Sequence, residues 1–137
     1  MTLRPHPPLE QWYSSEEERK RRVRAWFDES AEHYDWIGQT MSFGSGHHYR
    51  RQVLERAGIA PGARVLDVAC GTGVLAEVAT RLAGPQGRVV GLDPSRGMLV
   101  QAARRPIRYL TQGIAEAMPF ADASFDLVMM GYALRHV

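Results

Sequence analysis

The strongest constraint on the fold is a rhythm that begins at residue 63. Short apolar runs, "ARVLDVA", "RVVGLD", "IRYLTQ" and "FDLVMMG", alternate with helically spaced stretches such as "GVLAEVATRLAG" and "SRGMLVQAARR". Runs of this length that are apolar on both faces read as buried strands, and strands separated by amphipathic helices join as a parallel sheet covered on both sides. The expected class is α/β. The chain ends at "LRHV", directly after the fourth run. A sheet ending there is expected to leave one edge open and one face poorly covered, so either the polypeptide is a fragment or a partner or neighbouring copy closes it.

Upstream the pattern changes. Residues 1–13 carry Pro5, Pro7 and Pro8 and read as a flexible lead-in. Residues 14–60 read as a helical lid. In "SSEEERKRRVRAWF", Ser15 and Glu18 have capping-box spacing, and Glu16/Lys20, Glu17/Arg21 and Glu18/Arg22 stand four apart in the favoured order. Val23, Trp26 and Phe27 supply an apolar stripe for docking. A second helix is expected over "HHYRRQVLERAG", with Val53, Leu54 and Tyr49 facing inward. Residues 61–137 then form the α/β domain.

Composition excludes several classes. At 137 residues, 45% of them hydrophobic, the chain suits one domain. A formal charge of +2 is too small and too spread out to argue for nucleic acid. Cys70 is the only cysteine, so no intramolecular disulfide forms. No apolar run approaches the roughly 20 residues that span a bilayer, and no signal-peptide segment opens the chain. The expected location is the cytoplasm.

The chemistry centres on "VLDVACGTG", in which an acid, Asp67, closes the first strand and a glycine-rich turn opens a helix. In open α/β sheets ligands sit beyond the carboxyl ends of the strands. Gly71 and Gly73 let the backbone turn tightly beside a ligand, with amide groups exposed to it. Asp93 closes the second strand 20 residues beyond Gly73, where an acid bonds a ribose hydroxyl pair. An adenosine-containing cofactor is the leading inference. A dinucleotide would bring a pyrophosphate against Asp67, and that repulsion grows as water is removed. S-adenosylmethionine brings a sulfonium and an α-amino group, which Asp67 attracts.

These residues resemble successive motifs of class I S-adenosylmethionine-dependent methyltransferases: "VLDVACGTG", "VVGLDPSRGML", "AEAMPFADASFDLV" and "GYALRHV". "FDESAEHYDWIGQTMSFG" is similar to the signature that precedes them in the ubiquinone/menaquinone biosynthesis C-methyltransferase family. The resemblance implies a Rossmann-like doubly wound parallel sheet with N-terminal helices, incomplete at its C-terminal end. It implies S-adenosyl-L-methionine as cofactor, S-adenosyl-L-homocysteine as product, and a lipid-soluble quinone precursor as the small-molecule substrate. Asp67, Ala69, Gly71 and Gly73 would hold the methionine end, and Asp93 the ribose. Pro94 and Met98 would lie against adenine, with Ala115 and Glu116 near its other edge. Gly131 and Tyr132 would border the transferable methyl, and Tyr34 and Ser42 would close the pocket. Ile114 stands where the family usually has Asp or Asn, which leaves adenine recognition resting on backbone contacts or weaker. Gly38, Gly46 and His136 are further departures, all on the acceptor side.

Methylation of a ring carbon requires a neighbouring phenol oxygen to lose its proton. Arg135 is expected to stabilise the phenolate and His136 to relay the proton, with Tyr132 beside them. The competing reading pairs Arg135 with a surface acid and makes His136 a helix-start residue. His47, His48 and His33 lack the accompanying acids or cysteines of a metal site, and no metal is expected. Cys70 reads as packing. "ERKRRVRAW" is balanced by its glutamates, so at most peripheral membrane contact and no nucleic acid are expected. "MSFG" is read as a gate over the cofactor rather than a plain turn. A homo-oligomer is left open. A methyltransferase acting on another small molecule, or a non-catalytic S-adenosylmethionine-binding module, are the alternative functions. Asp67 argues against a nicotinamide-dependent oxidoreductase.

Overall fold

The computed structural model describes residues 14–42 and 46–131, and the side chains of 14–33 and 46–131. The lead-in, residues 43–45 with the "FG" of the expected gate, and the stretch 132–137 lie outside the described residues. The first helix, α1 (Glu16–Ser42), is longer than its sequence signals suggest and runs unbroken to Ser42. Ser15 caps it by accepting from the Glu18 amide at 3.1 Å, whereas the Glu18 carboxylate reaches one residue further back, to the Ser14 amide at 2.8 Å. Of the expected charge pairs, Glu18–Arg22 forms at 2.7 Å. Glu16 turns instead to Arg19 at 2.8 Å, and Lys20 reaches across to Glu116 at 3.9 Å.

The apolar stripe is rotated from the expected one. Ala31 is buried and Val23 and Phe27 are half-buried, a line with a spacing of four, while Trp26 is 58% exposed and stacks edge-on with Phe27. One residue along a helix turns the side chain by about 100°, which removes Trp26 from the docking line. Helix α2 (Gly46–Arg56) corrects its expectation similarly: Leu54 is buried, but Val53 and Tyr49 face solvent.

Four strands follow: β1 (Arg64–Val68), β2 (Arg88–Asp93), β3 (Tyr109–Gln112) and β4 (Leu127–Met130). All pairings are parallel and the order is β3-β2-β1-β4. Helix α3 (Val74–Ala83) links β1 to β2, and α4 (Arg96–Ala102) links β2 to β3. The fold is α/β and Rossmann-like.

Strand alternation sends Val65 and Val89 to one face, where they pack with Leu54, Ala76, Ala79, Ala83, Ala102 and Ile107. The small side chains of α3 and α4 let those helices lie close to the sheet. Leu66, Val68, Val90 and Leu92 point to the other face. Among the described residues that face is covered by Ala115, Phe120 and Phe125 of the β3–β4 connection, which holds one 3-10 turn (Ala115–Ala117) and no α-helix, and Phe120 and Phe125 meet edge to face at 5.2 Å. Cover is partial: Leu92 is fully buried, yet Val128 on β4 is 58% exposed. Arg64 fastens β4 to β1 through paired contacts with Asp126 at 2.8 and 3.3 Å.

This contrast is measurable. Leu92→Ala is expected to lower unfolding free energy by about 2–5 kcal/mol, and Val128→Ala by under ~1 kcal/mol. Urea denaturation of both variants checks the difference.

Candidate cofactor site

Because the strands are parallel, their carboxyl ends share one edge. Val68 stands beside Leu92 and Met130, and Asp93 beside Gln112. At that edge the chain leaves β1 through a coiled loop in which Ala69, Gly71 and Gly73 all take positive φ, at 55°, 57° and 83°. The two glycines have different jobs. A Cβ on Gly73 would stand 2.5 Å from Ile107 Cδ1 and 3.1 Å from Ala102 Cβ, so this glycine lets the loop sit against α4. A Cβ on Gly71 would meet nothing within 4 Å. The space over Gly71 is the open side of the loop.

Beneath the loop lies Asp67, 1% exposed on β1. The Ala76 amide donates to its carboxylate, but Oδ2 is buried without a hydrogen-bond partner. Burial, and then the nearby charge of Asp93, push its pKa up to about 7. A carboxyl held part-neutral at physiological pH, with an orphaned oxygen, is primed for a positive neighbour. Asp93, 6% exposed, accepts from the Gly71 amide through Oδ2 at 2.8 Å and from the Ser95 amide through Oδ1 at 2.8 Å. Burial raises its pKa too, against those hydrogen bonds. About four acceptor directions belong to a carboxylate, so these bonds leave room for ribose hydroxyls.

The glycine-rich loop therefore differs from a phosphate cradle. The Gly71 amide, which a phosphate would need, is already directed at Asp93. Asp67 and Asp93 add negative charge on the same side. The donor set fits a ligand with a cationic group and hydroxyls, and it does not fit a diphosphate.

Sequence reasoning missed the residues that brace this loop. Arg105 donates through Nε to the Thr72 carbonyl at 2.8 Å and through Nη1 to Glu77 at 2.6 Å. Although burial opposes it, hydrogen bonds from Arg105 and Arg81 hold the Glu77 carboxyl below its usual range. Asp28 of α1 accepts from Ser95 Oγ at 2.5 Å and from the Gly97 amide at 2.8 Å. These partners are 28, 33 and 67–69 residues apart, beyond any local spacing rule. An acid in mid-helix and a glycine in the first turn of α4 were the available signals.

The other expected residues are placed as follows. Pro94 is half-buried and its carbonyl accepts from Gln112 Nε2 at 3.0 Å. Met98 is 2% exposed and lies inside the fold, below the rim. Ala115 packs against the second core and Glu116 is exposed. Gly131 follows β4 on the same edge as Asp67 and is exposed. Tyr34 and Ser42 belong to α1, their side chains outside the described residues, as are Tyr132, Arg135 and His136 entirely. Cys70 packs against Gly91, and burial followed by the charges of Asp67 and Asp93 pushes its thiol well up, which makes it inert as a nucleophile. Among the described residues no group of three or more His, Cys, Asp or Glu could hold a metal, and no helix is long and apolar enough to cross a membrane.

The parallel strand order and its helical connections define a Rossmann-like domain. The ubiE/COQ5 methyltransferase family matches residues 14–137. Demethylmenaquinone methyltransferase of Symbiobacterium thermophilum is 40% identical over 130 residues, which is 90% of this chain and 52% of that protein. The 2-phytyl-1,4-naphtoquinone methyltransferase of Synechocystis is 39% identical over 84% of this chain and 51% of its own length. A crystal structure of a putative S-adenosyl-L-methionine-dependent methyltransferase from Methanococcus maripaludis superposes with a TM-score of 0.66 at 19% identity, over 79% of this chain and 51% of that one, which speaks for the fold. The chain belongs to the ubiE/COQ5 methyltransferase family, and it spans about half the length of these curated relatives.

Two consequences for stability follow. Gly73→Ala is expected to cost at least about 2 kcal/mol from clash and backbone strain together, and Gly71→Ala about 1 kcal/mol from strain alone. Chemical denaturation of the pair compares them. Asp67 protonates more readily folded than unfolded, so its destabilising effect is absent below about pH 4, grows as pH rises toward 7 and levels off above. Asp67→Asn should therefore raise stability at pH 8 by on the order of 1–3 kcal/mol and have little effect at pH 4, as read by melting temperature.

Proposed function

We propose that this chain forms the cofactor-binding part of an S-adenosylmethionine-dependent methyltransferase acting on the ring of a quinone precursor. The observation that carries the reading is the orphaned Oδ2 of Asp67 under an open glycine loop whose Gly71 amide is committed to Asp93. Membership of the ubiE/COQ5 family and the names of its quinone-methylating relatives support the substrate class.

When bound, the cofactor supplies an activated methyl on a sulfonium. The protein's part is mainly alignment and exclusion of water. Asp67 would attract the cationic amino-acid end, directly or through water, and Asp93 would accept from the ribose. Ala69, with its left-handed backbone, turns the loop between them. Pro94, Met98, Ala115 and Glu116 are proposed to bound adenine, and Tyr34 and Ser42 to close the pocket from α1. Gly131 ends β4 beside this site, and Tyr132 follows it directly. Arg135 and His136 are proposed to stabilise the phenolate of the acceptor and to relay its proton. The location proposed is the cytoplasm, with membrane contact no more than peripheral.

Binding of a cation favours ionised Asp67, so affinity should follow its deprotonation. Calorimetry with S-adenosylhomocysteine is expected to show affinity rising toward about tenfold per pH unit below pH 7 and flattening above it. Asp67→Asn should weaken binding at least about tenfold at pH 7.5 and flatten the profile. NAD should not bind. Tight NAD binding, or a homocysteine compound indifferent to Asp67→Asn, would overturn the reading.

A further inference from the structure

A continuous run of hydrogen bonds leads from the lid helix to the glycine loop. Asp28 Oδ1 on α1 accepts from Ser95 Oγ and the Gly97 amide; the Ser95 amide donates to Asp93 Oδ1; Asp93 Oδ2 accepts from the Gly71 amide. Ser95 Oγ in turn accepts from the Met98 amide, capping α4. Ser95 and Asp93 are buried at 1% and 6% exposure, whereas Asp28 holds this turn from the solvent side. A Cβ on Gly97 would stand 2.9 Å from both Cα and the carbonyl oxygen of Asp28, so α1 is seated directly on the first turn of α4. Lys20, two turns earlier on α1, reaches Glu116. The same helix thus touches the connection after β2 and the connection after β3.

We propose that Asp28 is a positioning residue for the cofactor site, holding Ser95 and through it the carboxylate of Asp93 in the orientation that keeps the glycine loop ready to bind. The inference rests on the reading of Asp93 and Gly71 as binding groups. Its logic is geometric. Asp93 has one side chain to serve both the loop and the ribose, and its rotamer is fixed by the Ser95 amide. The Ser95 amide is fixed by the turn that Asp28 pins from outside. Loss of Asp28 takes the acceptor from Ser95 Oγ and the Gly97 amide together, leaves Ser95 Oγ with the Met98 amide alone, and loosens the turn between β2 and α4. The lid helix and the binding edge then cease to act as one unit.

The test compares Asp28→Ala with Asp28→Asn, which keeps an acceptor oxygen at the same place. Two readouts are taken: affinity for S-adenosylhomocysteine by calorimetry, and amide hydrogen exchange at Gly71, with Leu66 and Val90 as sheet controls. Asp28→Ala should weaken binding about tenfold and accelerate exchange at Gly71 while the sheet controls stay protected. Asp28→Asn should stay within about threefold of wild type in affinity and keep Gly71 protected. Unchanged Gly71 exchange in Asp28→Ala, or acceleration at Gly71 and the sheet controls alike, overturns the proposal. If Asp28→Ala does not fold, Gly97→Ala lifts α1 off the turn by its added Cβ and should give the same selective change at Gly71; an unchanged Gly71 then overturns it. Should the wild-type chain fail to bind the homocysteine compound, the cofactor reading fails, whereas the exchange data still decide whether Asp28 controls the loop.

Discussion

Two buried carboxyl groups at one edge of the sheet govern this structure. Asp67, next to the last residue of β1, and Asp93, the last of β2, lie at the same end of adjacent central strands, and both are removed from water. In isolation that arrangement opposes folding, because each charge loses hydration and repels the other. The protein answers asymmetrically. Asp93 gains two backbone donors and keeps the loop in shape, while one oxygen of Asp67 is left without a partner. In the proposed site a cationic group at the strand ends would compensate both charges at once, so the cost carried by the free protein would become binding strength in the complex. That asymmetry also separates this edge from phosphate-binding relatives in shape, whose loop amides face outward to an anion.

The rest of the architecture keeps that pair in register. From below, the small residues of α3 and α4 let helices approach the sheet closely. From behind, Arg105 ties the loop carbonyl of Thr72 to Glu77. From the side, α1 presses on the turn after β2. The last two braces act on the loops at the strand ends rather than on the strands themselves. The sheet is held by its own ladder and core, and the added contacts are concentrated where ligand geometry is set.

Much of this was legible in the sequence because it depends on local pattern. Strands apolar on both faces betray themselves in "RVLDV" and "RVVGLD", and the positive φ of Gly71 and Gly73 follows from a turn too tight for other residues. Family motifs carried the identification to the ubiE/COQ5 family. What escaped depended on tertiary placement. The stripe of α1 was read as Val23, Trp26 and Phe27, yet which side of a helix docks is decided by its partner, and Ala31 took the place of Trp26. A Cβ on Gly73 would meet Ile107, a contact across 34 residues that spacing does not encode. Asp28 and Arg105 look like ordinary surface charges until the fold brings Ser95 and Thr72 to them.

The account stands most directly on the proton of Asp67. Carbon-13 NMR of its side-chain carboxyl, titrated in the free protein and with S-adenosylhomocysteine bound, follows that proton without an activity assay. The free protein should titrate near pH 7, and the bound form well below it, since a cationic group now faces the carboxylate. A midpoint that stays put or climbs on binding would contradict the assignment of Asp67 as the receptor for the positive end of the ligand.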